Sequence, residues 1–140
     1  MGRKIVFLIS LLILGSCSTN TSSFIHKYEY SDIENKKVSY LDVFSCSNKR
    51  HYIYYYQVDC YHCHGIKSKI ISFALYSEED VYFIEVKEDY GFTSHTKEET
   101  IGTNNPLAAF ALMTPQLSLV EKGRVKETYI GVDEILNIIE

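Results

Sequence analysis

The chain has 140 residues, with 14 Lys or Arg against 18 Asp or Glu, for a formal net charge of −4. A mildly acidic chain of this length lacks the basic footprint of a nucleic-acid binder and is sized for one small domain around a single core. Its 12 tyrosines and four cysteines, with no tryptophan, leave the cysteines as the main carriers of chemistry.

Met1-Gly2-Arg3-Lys4 is a short basic start, and IVFLISLLIL over residues 5–14 is apolar. That run is too short to cross a bilayer comfortably and has the length of a signal-peptide core. Leu14-Gly15-Ser16-Cys17 resembles the bacterial lipobox, whose Cys receives a diacylglycerol and becomes the first residue after cleavage. The resemblance implies a signal peptide over 1–16, a lipid anchor on Cys17 and a place on the extracytoplasmic face of a bacterial cell membrane. An ordinary signal peptide cut nearby is the plainer alternative. Residues 18–23 are rich in Ser, Thr and Asn, and no clear period appears before residue 31. We therefore expect a lipid-anchored flexible tether over 17–31 and a domain over 32–140. Loss of Arg3 and Lys4 would take the formal charge from −4 to −6.

Ser39 can cap a short helix whose apolar side is Leu41, Val43 and Phe44. Residues 51–58, rich in Tyr, Ile and Val, read as a buried strand in which the tyrosines alternate between core and surface. Residues 60–76 read as a helix with Ile66, Ile70 and Ala74 four apart, Ile71 and Leu75 beside them, and Lys67 and Lys69 off the stripe. Residues 81–87 (VYFIEVK) read as a second strand. Residues 89–105 are polar, with two Gly and an Asn-Asn-Pro turn, and read as a loop. Pro106 opens one or two helical turns. Residues 116–120 and 125–130 form a hairpin across Lys122-Gly123. Asp133 can cap a last helix that turns Ile135, Ile138 and Ile139 inward.

Cys60-Tyr61-His62-Cys63-His64 admits several readings. Cys-x-x-Cys-His is the haem-attachment signature, but here it follows a strand in a chain that is half strand. Two Cys and two His suggest a metal, yet His62 and His64 lie two apart at a helix start and point apart, and no second ligand pair exists. A static disulfide is a third reading. The fourth is a redox dithiol: at a helix N-terminus, unpaired N–H groups favour the Cys60 thiolate, and Cys63 sits one turn away. No metal and no cofactor are expected.

The order of elements, with Thr114-Pro115 opening the hairpin and Gly131 closing it, resembles the thioredoxin superfamily. It implies an α/β, thioredoxin-like fold with a four-stranded mixed central sheet flanked by helices. It further implies Cys60 as nucleophile, Cys63 as resolving thiol, and a cis Thr114–Pro115 bond beside them, with Thr114 and Tyr61 contacting substrate. His62 occupies the slot that is also His in protein disulfide isomerase and the bacterial periplasmic oxidant DsbA, where it stabilises the thiolate. Three positions depart from the pattern: Asp59 stands where Trp is usual, Tyr54 where a buried acid is usual, and His64 where a basic residue often follows. The resulting expectation is a membrane-tethered thiol-disulfide oxidoreductase, leaning to disulfide formation or isomerisation. It would be a monomer acting on thiol- or disulfide-containing extracytoplasmic proteins. A thiol reductase serving cytochrome maturation or oxidised surface proteins, and a non-enzymatic binding lipoprotein on the same scaffold, stay open. Cys46 reads as a buried small hydrophobe.

Overall fold

The structure, a computed structural model, describes residues 26–91 and 95–140. The signal segment and Cys17 lie outside the described residues. Strand β1 (His51–Tyr56) leads into helix α1 (Tyr61–Tyr76), which returns to β2 (Val81–Glu85). Strands β3 (Gln116–Glu121) and β4 (Arg124–Ile130) form the hairpin, and helix α3 (Val132–Ile139) ends the domain. A one-turn helix, α2 (Lys97–Thr100), lies between β2 and β3.

The sheet order is β2-β1-β3-β4. β1 and β2 are parallel, as the intervening helix requires, while β3 runs antiparallel to both β1 and β4. This is the expected thioredoxin-like fold. Lys122 and Gly123 both take positive φ (53° and 69°), the backbone of a tight hairpin turn matched to strand twist.

All six residues of β1 are buried, which corrects the expected core–surface alternation of its tyrosines. The reason is that both faces of the sheet are covered. Tyr52, Tyr54 and Tyr56 pack under α1 with Ile66, Ile70, Ile71 and Leu117. Ile53 and Tyr55 face the other way, onto Val43, Phe110, Val120 and Val125. Leu41, expected on the apolar side of the short helix, is 61% exposed, and Val43 fills that role. Ser39 does cap this turn, accepting the Leu41 N–H.

Lys67, expected off the apolar stripe, is buried, whereas Leu75, expected beside it, is exposed. Lys67 points beneath the N-terminal segment, where its Nζ meets the Glu29 carboxylate and lies 5.7 Å from the centre of the Tyr30 ring. A buried ammonium requires such partners. The same contacts correct the tether boundary: Tyr28 donates its N–H to Ser68 on α1, and Tyr30 stacks on Tyr56 at 3.9 Å. The described part of the expected tether, residues 26–31, thus belongs to the domain, and continues into a 3-10 helix (Tyr30–Lys36) that buries Ile33.

The expected loop over 89–105 contains α2, closed by a capping box between Thr96 and Glu99. Its Thr100 hydroxyl reaches Thr128 on β4 at 2.7 Å. The N-cap of α3 lies two residues before the expected Asp133. Gly131, at φ 85°, is its N-cap, because the chain leaves β4 through a left-handed turn that favours glycine.

Candidate active site

The site sits where β1 ends and α1 begins. Residues 57–60 form a turn closed by the Cys60 N–H on the Gln57 carbonyl. Cys60 is then the N-cap of α1, in extended backbone, and its sulfur accepts the Cys63 N–H at 3.2 Å. A sulfur replaces the usual oxygen acceptor at this position, so the orphan donors of the first turn converge on a reactive atom. Cys60 is half-buried and Cys63 is buried in the core under α1.

The Thr114–Pro115 bond is cis, and Thr114 lies against the dithiol. The Cys60 thiol faces the Thr114 carbonyl at 3.7 Å, and the Thr114 hydroxyl donates to Gln57 Oε1 at 3.1 Å. Pro115 has no N–H to leave unpaired where β3 begins, and its carbonyl accepts the Gly131 N–H. Gln116 anchors the approach to this loop from inside the sheet. Its Oε1 accepts the Ala111 N–H and its Nε2 donates to the Ala109 carbonyl, both at 2.8 Å. With residues 109–111 held down, the next two project: Leu112, at φ 56°, and Met113 are both exposed.

The two thiols are held at different acidities. Burial raises the pKa of Cys60, but hydrogen bonding with the Cys63 thiol and backbone, helped by the neighbouring Thr114 and His62 groups, outweighs it, so the net shift is downward. Cys63 goes the other way, pushed up to about 11 by burial and then by its hydrogen bond to Cys60. Cys60 is thus the more acidic of the two sulfurs. The arrangement can carry out exchange: a thiolate to attack, and a second sulfur in the same helical turn to displace it.

Of the sequence-predicted residues, the fold brings together Cys60, Cys63, Thr114 and Pro115. His62 lies beside Cys60 in the first turn of α1. Its exposed imidazole lies edge-on to the Tyr61 ring, 5.6 Å between centres. Tyr61 is 85% exposed beside the dithiol. A groove of about 490 Å³ runs from His62 past Met113, Thr114 and Pro115 to Gly131 and Asp133. A smaller one, about 190 Å³, opens on the other side of Thr114 against Gln57, Phe110 and Leu112. Asp59 is exposed, and His64 faces a separate groove beside Tyr30 and Lys67. Cys46 packs against the opposite core, apart from the dithiol. Among the described residues, no three His, Cys, Asp or Glu side chains gather to hold a metal ion.

Gln57, Leu112 and Gln116 escape sequence reading. Their roles depend on partners brought in by the fold, and a lone Gln or Leu carries no local signature.

No protein-family model matches this chain, and no curated protein matches it significantly. Among solved structures it is similar to a chain from a study of the thiol-resolving mechanism in yeast mitochondrial 1-Cys peroxiredoxin via glutathione/thioredoxin systems. The two share 14% identity over 74% of this chain and 89% of that one, with a TM-score of 0.45. The fold assignment rests instead on strand order, strand direction and the placement of α1 between the parallel strands.

Proposed function

We propose that this protein is a thiol-disulfide oxidoreductase whose redox centre is Cys60-Tyr61-His62-Cys63. The observation that carries the reading is the Cys60 sulfur at the N-cap of α1, taking the Cys63 N–H at 3.2 Å and facing Thr114 at 3.7 Å. In the oxidising direction a substrate thiolate attacks the Cys60 sulfur of the Cys60–Cys63 disulfide. The S–S bond breaks and Cys63 leaves with the electron pair. A second substrate thiolate then attacks the substrate sulfur of the mixed disulfide and expels Cys60, oxidising two substrate thiols to one disulfide. Stabilising the Cys60 thiolate stabilises the reduced protein, which makes its disulfide the better oxidant and supports disulfide formation or isomerisation.

In this reading His62 and Tyr61 flank the incoming substrate, Thr114 offers backbone beside Cys60, and Pro115 keeps that backbone at the start of β3. The substrates are extracytoplasmic proteins bearing thiols or disulfides, reached by a monomer tethered through lipid on Cys17. The Leu-Gly-Ser-Cys sequence supports the anchor. Cys17→Ser should release the protein from membranes or leave an uncleaved precursor.

Trapping tests the redox reading. Cys63→Ser should accumulate mixed disulfides with substrate proteins, because the resolving thiol is gone, and Cys60→Ser should accumulate none. Equal trapping by the two variants would undo the assignment. Equilibration with glutathione then gives the reduction potential and with it the direction of catalysis.

A further inference from the structure

Thr100, Gln116, Ser118 and Thr128 are polar yet buried, none more than 2% exposed. Gln116 and Ser118 alternate along β3 with Val120, on the sheet face away from α1, and Ser118 stands across from Thr128 on β4. Buried hydroxyls are costly unless each is satisfied. These are satisfied in one direction only. The Thr100 hydroxyl donates to the Lys97 carbonyl at 2.7 Å. With its single proton committed, its oxygen accepts from Thr128, also at 2.7 Å. Thr128 then accepts from Ser118 at 3.5 Å, the longest and weakest link, and Ser118 accepts from Gln116 Nε2 at 2.8 Å. The other Nε2 proton goes to the Ala109 carbonyl, and Gln116 Oε1 takes the Ala111 N–H. The two ends fix this polarity, because a carbonyl cannot donate and an amide nitrogen cannot accept.

The chain therefore runs from α2 to residues 109–111, which lead into Thr114–Pro115. A second tie leaves the same helix. Lys97 meets Glu134 at 2.6 Å, and Glu134 accepts the Ile130 N–H at 2.9 Å. Ile130 lines the groove that Met113, Thr114 and Pro115 also line. That ion pair is partly exposed and contributes little, so the buried chain is the firmer connection.

We propose that Thr100, Thr128, Ser118 and Gln116 are positioning residues, which tie α2 to the Thr114–Pro115 loop and so fix the groove where a polypeptide substrate meets Cys60. This rests on the redox reading above. The four act through the loop and not on the sulfurs. A small thiol needs only an open path to the Cys60 sulfur. A peptide must also lie along the loop, so a displaced loop slows the peptide and spares the small thiol.

The test gives the oxidised protein two reductants: dithiothreitol, and an unstructured peptide bearing two cysteines. In each case two thiols give up two protons and two electrons. The Cys60–Cys63 bond opens to two thiols, and a disulfide forms in the reductant. Rate constants are read by acid quench and mass spectrometry, as the loss of two hydrogens from the reductant. Thr100→Val and Thr128→Val each delete one hydroxyl and keep a similar shape. Each should lower the peptide rate about threefold and leave the dithiothreitol rate within about 1.5-fold. Gln116→Leu, which frees residues 109–111 directly, should lower the peptide rate about tenfold. Thr100→Ser and Thr128→Ser keep the hydroxyl and should restore the peptide rate. Hydrogen exchange at the Ala111 amide should quicken in both Val variants.

Peptide rates equal to the parent's in both Val variants would overturn the proposal. So would an equal fall with both reductants, which would place the effect on the dithiol and not on the groove. Should Gln116→Leu fail to fold, the Val variants decide, since Val at position 128 suits a strand. A parent whose disulfide does not exchange with the peptide at all would overturn the redox reading itself, a distinct result.

Discussion

Cys63 and Cys46 occupy opposite faces of one sheet and begin from similar circumstances. Burial pushes both thiols up to about 11. Each shares its core with a fully buried β1 tyrosine, Tyr54 for one and Tyr55 for the other. What differs is the neighbour. The Cys63 N–H points at the Cys60 sulfur, whereas the Cys46 thiol donates to the Val43 carbonyl at 3.8 Å and has no second cysteine in its cluster. Under the proposed function, the local environment of a single thiol would not make a redox site. What sets the pair apart is a second sulfur at a helix N-terminus, where hydrogen bonding lowers its pKa.

The strongest way to break this comparison is deletion. Cys60→Ser should lower turnover of a model disulfide by at least about 10³-fold, since the nucleophile is gone. Cys46→Ser should leave turnover within about twofold. A large loss from Cys46→Ser would mean that the two faces of the sheet are chemically linked. A smaller but sharper contrast is alkylation. At pH 7 iodoacetamide should label Cys60 faster than Cys46 or Cys63 by at least about tenfold, the thiolate advantage reduced by lower intrinsic nucleophilicity. Peptide mapping after brief labelling reads this directly.

Much of the pair's setting is legible in sequence because its signals are short-ranged. The β-rich run before Cys60, the four-residue apolar spacing after it, and Lys122-Gly123 between two strands each act over a few residues, and each appears in the fold. Pro115 is legible for the same reason, as a residue able to begin a strand. What stays hidden depends on contacts between distant residues. Lys67 reads as surface because its partner Glu29 is 38 residues away. Residues 26–31 read as tether because their order depends on Tyr30 stacking against Tyr56. β1 reads as half-exposed because nothing in its own pattern reports that Tyr55 meets Phe110, 5.1 Å between ring centres. In the site, Gln57 binds Thr114 across 57 positions, a distance at which no sequence pattern operates.

The split acidity of the dithiol sharpens the comparison through pH. Oxidation of two thiols releases two protons and two electrons, so the potential should fall by about 59 mV per pH unit below the Cys60 pKa. Once Cys60 is ionised, only one proton is released and the slope should halve to about 30 mV. The first break should lie below the ordinary thiol range, because the Cys60 pKa is lowered, and the second near 11, where Cys63 ionises. Equilibration against glutathione from pH 5 to 9 covers the first break. A single slope of about 59 mV through pH 9 would show that the Cys60 pKa is not lowered.

The smallest expected effect concerns how the N-terminal segment is held. Lys67→Met keeps the apolar stem under Tyr30 and removes the ammonium that meets Glu29. The Glu29 carboxyl has a pKa below the usual range, chiefly through its hydrogen bond from Lys67. A group whose pKa is depressed in the folded state stabilises that state fully above its unfolded pKa and loses the effect as pH falls through the folded value. At pH 7 the parent should therefore melt slightly above Lys67→Met, and hydrogen exchange at the Tyr28 amide should be faster in the variant. Below the Glu29 pKa the order should close or reverse, because the parent then keeps a buried ammonium without its partner while the variant buries a thioether. Thermal melts at pH 7 and pH 3 give the comparison. A gap that is the same at both pH values would show that Lys67 holds the segment by packing on Tyr30 alone and that the ion pair contributes nothing.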